Sequence, residues 1–327
     1  MVFKTYKMND MKGKQGLVCM GLLLVLSSCS CHTGKQITAS GLQRKDFQTE
    51  VNGQHTDLFT LSNKQGMEVC ITNYGARVVS ILVPDRNGKR EDVVCGFSTI
   101  TEYMEQRQNF GSTVGRYIGR ILNARFTLDG VEYKLVPNNG KSGHISHGGN
   151  PGFADRIWKV EQADTHRVRL SYLSPDGENG FPGNLKVTLV YSLGEDDNAL
   201  DLTYEATTDA PTVLNLSHHS FFNISGNFTK SVEDQQLWVD ADRFTPYDDK
   251  KCVTGEYLPV AGTPLDFRMP HTIGECIDAD HPQLKVVNGY DHTWELNTKG
   301  DDTRPAAWVY DPASGRKMEI FTTEPGM

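Results

Sequence analysis

The chain has 327 residues, of which 38% are hydrophobic and 23% are charged, a composition typical of a globular protein large enough to bury a core. Its formal net charge is −8, and because residues 1–28 carry a net +3, the remainder carries −11. An acidic body argues against a protein that binds nucleic acid or adheres to anionic lipid through its surface, since both depend on clustered positive charge.

The first 28 residues have the pattern of a signal peptide. Four lysines within residues 4–14 precede an apolar run at 16–26, which is too short to span a bilayer. The run ends in Leu-Ser-Ser-Cys at 26–29, which resembles the bacterial lipobox. We predict a lipoprotein signal peptide over 1–28, lipidation of Cys29, a polar tether over 29–45, and a membrane-anchored protein exported to the periplasmic side. An ordinary secretory signal followed by a chance cysteine is the alternative.

Hydrophobic alternation with a period of two, the signature of strands, recurs through the rest of the chain. It appears at 59–61, 67–71, 126–135, 168–172, 185–191, 200–206, 237–241 and 309–320. Asp129-Gly130 predicts a two-residue hairpin turn, because both residues accept a positive φ. Only the stretch 99–106 has a helical pattern. With no repeat and no internal linker, the sequence predicts an all-β fold, one large antiparallel sandwich over 46–327.

Polar residues that are candidates for chemistry occur in four segments. They are Arg120 between two isoleucines, the Gly-rich stretch around His144 and His147, the pair His218-His219, and Asp291 after Gly-Tyr. An arginine offers a fork of donors to sugar hydroxyls, and histidine is suited to proton transfer near neutral pH. Adjacent strand residues face opposite ways, so only one histidine of the pair can enter a given cleft. A surface arginine, a metal-binding histidine pair, structural histidines and a turn aspartate are the alternatives.

Short motifs follow one another through the chain in a fixed order: Asn73-Tyr-Gly-Ala, Pro84-Asp-Arg-Asn-Gly, Gly115-Arg-Tyr, Phe126-Thr-Leu-Asp-Gly, His147-Gly-Gly, Ser174-Pro-Asp-Gly, Phe181-Pro-Gly, His219-Ser, Gly262-Thr-Pro, Asp266-Phe-Arg, Gly289-Tyr-Asp-His and Thr322-Thr-Glu-Pro-Gly. Taken together and in this order, they closely resemble the aldose 1-epimerase (galactose mutarotase) family from about Phe59 to the last residue.

The resemblance implies an antiparallel β-supersandwich and an isomerase of carbohydrate metabolism that interconverts the α and β anomers of aldohexoses such as galactose and glucose. It implies no metal or organic cofactor. By the matching positions, His219 is the catalytic acid that protonates the ring oxygen. The same matching assigns substrate contacts to Arg120, His147 and Asp291, and to Ser220 and Phe221 after the acid.

Some positions depart from the family pattern. Phe221 stands where the family usually has Tyr, Gly119 where an Asn usually precedes the arginine, and His218 where an Asn is usual. The family's glutamate base belongs to a Leu-Glu-Thr motif that follows the Thr-Thr-x-Pro-Gly stretch by several tens of residues. We therefore expect the sequence to be truncated at its C-terminus and the domain to be incomplete there. A non-catalytic carbohydrate-binding paralogue is the alternative function.

Overall fold

The computed structural model describes the backbone of residues 2–6 and residues 36–327. The predicted signal peptide, apart from residues 2–6, and the predicted lipidation site Cys29 lie outside the described residues. Within the part of the chain that is described, no helix has the length and apolar character needed to cross a membrane.

Strands account for most of the regular structure. In chain order they are β1 Val2–Tyr6, β2 Glu50–Val51, β3 Gln54–His55, β4 Leu58–Ser62, β5 Glu68–Thr72, β6 Arg77–Pro84, β7 Arg90–Asp92, β8 Thr113–Val114, β9 Arg120–Ile121, β10 Arg125–Leu128, β11 Val131–Lys134, β12 Ile145–Ser146, β13 Lys159–Ala163, β14 Arg167–Ser174, β15 Leu185–Leu193, β16 Ala199–Thr208, β17 Ser217–His218, β18 Gln236–Val239, β19 Ala241–Thr245, β20 Leu258–Pro259, β21 His271–Thr272, β22 Thr293–Leu296, β23 Ala307–Tyr310 and β24 Lys317–Thr322. The α-helices are α1 Ile100–Gln106 and α2 Pro282–Val287. Short 3₁₀ turns lie at Arg44–Phe47, Leu122–Ala124, Gly140–Ser142, Phe153–Asp155, Glu178–Gly180 and Ile273–Glu275.

The largest sheet has nine strands in the order β13-β14-β15-β16-β1-β24-β23-β18-β21. Its pairings are antiparallel except that β1 runs parallel to both neighbours, β16 and β24. A four-stranded antiparallel sheet, β4-β5-β6-β7, contributes to the same apolar core as β14–β16 of the large sheet. The predicted all-β sandwich is confirmed.

Apolar side chains from the two sheets form the main core. Val69, Ile71 and Val78 of the smaller sheet belong to one buried cluster with Leu189 and Leu200 of the larger one. The burial of β15 largely follows the predicted alternation, because successive side chains of a strand point to opposite faces of the sheet. A second buried cluster lies around β19, β22 and β23.

Local sequence signals predicted several elements correctly. Strands β10 and β11 form the expected hairpin, and Asp129 and Gly130 have φ of 51° and 79°. Helix α1 begins after Thr99, whose side chain accepts a hydrogen bond from the Glu102 N–H in a capping box.

Two local expectations were wrong. Helix α2 was not predicted, although His281 caps it and Pro282 occupies its first turn. The segment 237–241 forms parts of two strands, β18 and β19, which pair in different sheets. The described contacts of the domain also begin earlier than the predicted boundary at 46, since Ile37 bridges Gln43 and the Ala39 N–H donates to Glu68.

Three arginines lie inside the fold, at exposures of 1% for Arg77 and Arg116 and 6% for Arg316. Each guanidinium donates to several backbone carbonyls of neighbouring loops. Such hydrogen bonds are needed because an arginine stays charged and burying an unsatisfied charge is costly. These side chains therefore hold loops that would otherwise leave carbonyls unpaired.

Candidate active site

His219 directly follows strand β17, which pairs with β8. Its backbone N–H donates to the Ser112 carbonyl at 2.8 Å, and its carbonyl accepts from the Gly111 N–H at 3.0 Å. The side chain is half-buried, and burial lowers the pKa of its imidazole. The negative charge of Asp291 acts in the opposite direction and raises this pKa. The N–H and the carbonyl of His219 are thus both hydrogen-bonded to the segment 111–112.

His147 approaches His219 edge to face, with the ring centroids 5.2 Å apart and the planes at 88°. The Gly119 N–H donates to Nδ1 of His147 at 3.3 Å. A neutral imidazole whose Nδ1 accepts carries its proton on Nε2, so His147 presents a donor to a ligand. Burial, His219 and Arg120 lower the pKa of His147 to about 4, which keeps the ring neutral at pH 7.

The glycines after His147 allow its loop to approach the neighbouring chain. His147 itself has a φ of 52°, and Gly148 has a φ of 82°. A Cβ on Gly148 would lie 1.8 Å from the Gly115 carbonyl oxygen, so only glycine fits there. The backbone path of this loop therefore requires glycine after His147, and this path brings the His147 imidazole to His219.

Arg120 lies on β9, directly opposite Ser146 of β12, and so beside the His147 loop. Its Nη1 donates to the Lys251 carbonyl at 3.0 Å, while its Nε is buried and has no hydrogen-bond partner among the described residues. The guanidinium also lowers the pKa of His147. It likewise lowers the pKa of the Tyr247 hydroxyl, which burial raises. A charged donor without a protein partner next to the two histidines is available to a polar ligand.

Asp291 is exposed in the loop after α2. Its charge raises the pKa of both His219 and Tyr247, which places the carboxylate near both rings. The next residue, His292, does not join this group. It is buried between Phe244 and Tyr247 and its Nε2 lies 3.1 Å from Gln283 Oε1.

Phe221 supplies an apolar wall beside the acid. Its ring centroid lies 5.0 Å from that of His219 and 5.3 Å from that of Phe110, yet the side chain remains 45% exposed. An exposed aromatic ring next to polar groups suits a sugar, whose C–H face packs on the ring while its hydroxyls bind the polar side chains.

His218 and Ser220 face the other way, as the alternation of strand residues requires. They line a cavity of about 310 Å³ together with Tyr204 and Glu324, and neither His219 nor Phe221 lines it. Of the adjacent histidine pair, His219 is therefore the one beside His147. The structure does not bring the predicted substrate contact Ser220 into this group.

The polar contacts of His218 define its protonation. The Tyr191 hydroxyl donates to the Ala76 carbonyl at 2.6 Å, so its oxygen accepts from His218 Nδ1 at 3.3 Å. Nε2 then accepts from the Ser220 hydroxyl at 2.8 Å. Burial, His219 and Arg77 lower the pKa of His218 to about 3. His218 is therefore a neutral structural residue of strand β17, which His219 directly follows.

The structure thus brings His219, His147, Arg120, Asp291 and Phe221 to one side of the fold. A cavity of about 200 Å³ with a polar lining opens next to this group but shares only His147 with it. Sequence reasoning missed Tyr247, Phe110 and Arg77, which surround the group. Arg77 carried a signal, since it is a charged residue within an apolar strand. Among residues 36–327, no group of three or more His, Cys, Asp or Glu side chains is arranged to hold a metal ion.

Comparison with known proteins identifies the family of this chain. The model of a family described as aldose 1-epimerase matches residues 57–327. The chain belongs to the aldose 1-epimerase family. The galactose mutarotase of Sus scrofa is 38% identical over 269 residues, covering 82% of this chain and 75% of the relative. The aldose 1-epimerase of Escherichia coli strain K12 is 36% identical, with 84% and 78% covered.

A solved structure extends this similarity to the fold. The crystal structure of galactose 1-epimerase from Lactobacillus acidophilus NCFM aligns with a TM-score of 0.71 at 31% identity, covering 81% of this chain and 76% of that one. The predicted family and its β-sandwich fold are confirmed. Membership of the family also confirms the prediction of an isomerase that interconverts aldose anomers.

Proposed function

We propose that this chain interconverts the α and β anomers of D-galactose and D-glucose, with His219 as the acid at the ring oxygen. The observation that carries the proposal is the convergence of His219 with His147, Arg120 and Asp291, from four distant parts of the sequence. Arg120 and His147 offer donors and Asp291 offers an acceptor. Such a mixture suits a small molecule with several hydroxyl groups.

The reaction moves two protons. The C1 hydroxyl loses its proton to a base while the ring oxygen gains one from His219, and the C1–O bond of the ring breaks to give the open-chain aldehyde. After rotation about C1–C2, the ring oxygen attacks the other face of C1 as its proton returns to His219 and O1 is reprotonated. Burial lowers the pKa of His219, which makes its imidazolium form a stronger acid. The negative charge of Asp291 raises the same pKa and so helps His219 to hold the proton that it donates.

Polarimetry on freshly dissolved α-D-galactose and α-D-glucose tests this proposal. We expect His219→Ala to slow mutarotation by about 10²- to 10⁴-fold, the usual contribution of a general acid. His166→Gln is the matched control, because His166 is exposed in the turn between β13 and β14. Sugar binding in a calorimeter without any rate above buffer would instead favour the carbohydrate-binding paralogue.

We also propose that the protein is exported as a lipoprotein and held to the membrane through Cys29. The sequence pattern at 4–29 supports this proposal, and cleavage before Cys29 would remove the residues of strand β1 from the mature chain. Labelling with a radioactive fatty acid tests it. We expect label and membrane association in the wild type and neither in Cys29→Ala, whereas an unlabelled, released wild-type protein would contradict the anchor.

A further inference from the structure

Arg77 is a fully buried arginine close to the active site. It begins strand β6 and is 1% exposed. Its Nη1 donates to the carbonyls of Gln108 at 2.8 Å and Phe110 at 2.9 Å, and its Nη2 donates to the carbonyl of Ala154 at 2.8 Å. Among the described residues its Nε has no hydrogen-bond partner, and no carboxylate forms an ion pair with it. Its charge is therefore compensated mainly by backbone dipoles and by the rings of Tyr74 and Tyr103.

Two of the three carbonyls that Arg77 binds, those of Gln108 and Phe110, belong to the segment that holds His219. Gly111 donates its N–H to the His219 carbonyl at 3.0 Å, and Ser112 accepts the His219 N–H at 2.8 Å. The Gly111 carbonyl accepts from the Val78 N–H at 2.9 Å, and a Cβ on Gly111 would lie 1.9 Å from the Val78 carbonyl oxygen. Segment 108–112 is thus packed tightly between strand β6 and His219.

We propose that Arg77 is a positioning residue for His219, acting through the carbonyls of Gln108 and Phe110. This inference rests on the proposed role of His219 as the acid. Without the guanidinium, the carbonyls of Gln108 and Phe110 lose their donors, and no backbone N–H of the described residues donates to either of them. The backbone of His219 would then move relative to His147 and Arg120.

The positive charge of Arg77 also affects the pKa of the His219 imidazole. Burial is the main cause of the lowered pKa of His219, and Arg77 lowers it further, while Asp291 raises it. The other groups that face His219 are His147, whose ring is neutral at pH 7, and Arg120, which acts on His147. If the guanidinium is removed and these groups stay in place, the effect of Asp291 is no longer opposed by Arg77. The pKa of His219 then rises, and more of the imidazole is protonated at a given pH.

Two substitutions in the full protein separate position from charge. We expect Arg77→Met to lower kcat for mutarotation by about 10- to 100-fold with KM changed less than threefold, as for a displaced catalytic group. The pH titration of the His219 ring, followed by NMR, should move upward. Arg77→Lys keeps the charge but places all its donors on one nitrogen, which cannot take the positions of both Nη1 and Nη2. We therefore expect it to restore the His219 titration to the wild-type value and kcat only partly.

Arg316→Met is the matched control. Arg316 is also buried and donates to the carbonyls of Val83, Ser225 and Lys89, but it does not act on His219. We expect it to lower the melting temperature while leaving kcat within twofold and the His219 titration unchanged. If Arg316→Met and Arg77→Met change kcat equally, or if Arg77→Met leaves both kcat and the titration at wild-type values, the inference is overturned.

The titration needs no turnover, so it separates this inference from the proposed function. A wild-type protein without mutarotase activity would remove the proposed function. A shift of the His219 titration in Arg77→Met would still support the electrostatic effect of Arg77 on His219. Should Arg77→Met fail to fold, the Arg77→Lys variant carries the test. A kcat equal to wild type, with the guanidinium fork replaced by a single ammonium nitrogen, would overturn the positioning role.

Discussion

The neutral state of His218 makes the stability of this protein depend on pH. Its pKa falls from the ordinary 6.5 to about 3 in the folded chain. Because the folded state binds this proton less readily than the unfolded state does, the contribution of His218 is fully present above pH 6.5 and is lost as the pH falls towards 3. A shift of this size corresponds to about 5 kcal/mol as an upper limit. Since residue 218 as a whole retains some exposure to solvent, we expect about 2 to 4 kcal/mol.

The perturbation is His218→Asn. Asparagine keeps a donor and an acceptor for Tyr191 and Ser220 but does not titrate. Denaturant unfolding followed by tryptophan fluorescence at pH 7.5 and pH 4 measures the difference. We expect the wild type to lose more stability between these values than His218→Asn does, by about 2 to 3 kcal/mol. His166→Asn, at an exposed position, is the control and should behave as the wild type.

Parallel pH profiles for the wild type and His218→Asn would refute the reasoning, because they would mean that the His218 ring already carries a proton in the fold or stays accessible to water. His147 and His292, whose pKa values are lowered to about 4, add to the acid sensitivity of both proteins. Their contribution cancels in the difference between the two variants.

Three further predictions concern the group around His219. Gly148→Ala introduces a Cβ that meets the Gly115 carbonyl at 1.8 Å, so we expect it to displace His147 and to lower both kcat and the melting temperature, whereas Gly88→Ala, with open space around its Cβ, should leave kcat unchanged. Arg120→Lys replaces a fork of donors by a single ammonium group that cannot bind both the Lys251 carbonyl and a sugar. We expect KM to rise about tenfold, or by about 1.4 kcal/mol, and an unchanged KM would contradict a substrate contact. Phe221→Ala removes the apolar wall and should raise KM, while Phe221→Tyr, which keeps the ring, should restore it; equal KM values in both variants would argue against packing of the sugar on this ring.

Each of the three is measured by steady-state mutarotation with galactose, together with a melting curve. The melting curve separates a local effect at the site from a general loss of stability.

The sequence alone was sufficient wherever the determining interactions are local. Asp129-Gly130 determines a tight hairpin by its own backbone preferences. Thr99 begins helix α1 because its side chain accepts the N–H of Glu102, three residues further along the chain. Alternating residues such as those of β15 predicted a buried face without knowledge of its partner. The order of short motifs was enough to predict the family, and with it His219, His147, Arg120 and Asp291.

Only the tertiary structure decided how these residues meet. Which histidine of the pair 218–219 faces His147 depends on the pairing of β17 with β8, and a shift of one residue would exchange them. The role of Arg77 depends on carbonyls more than thirty residues away in sequence, at Gln108 and Phe110. Strand register and the burial of a charge are long-range properties, because both follow from contacts between segments that the local sequence does not specify.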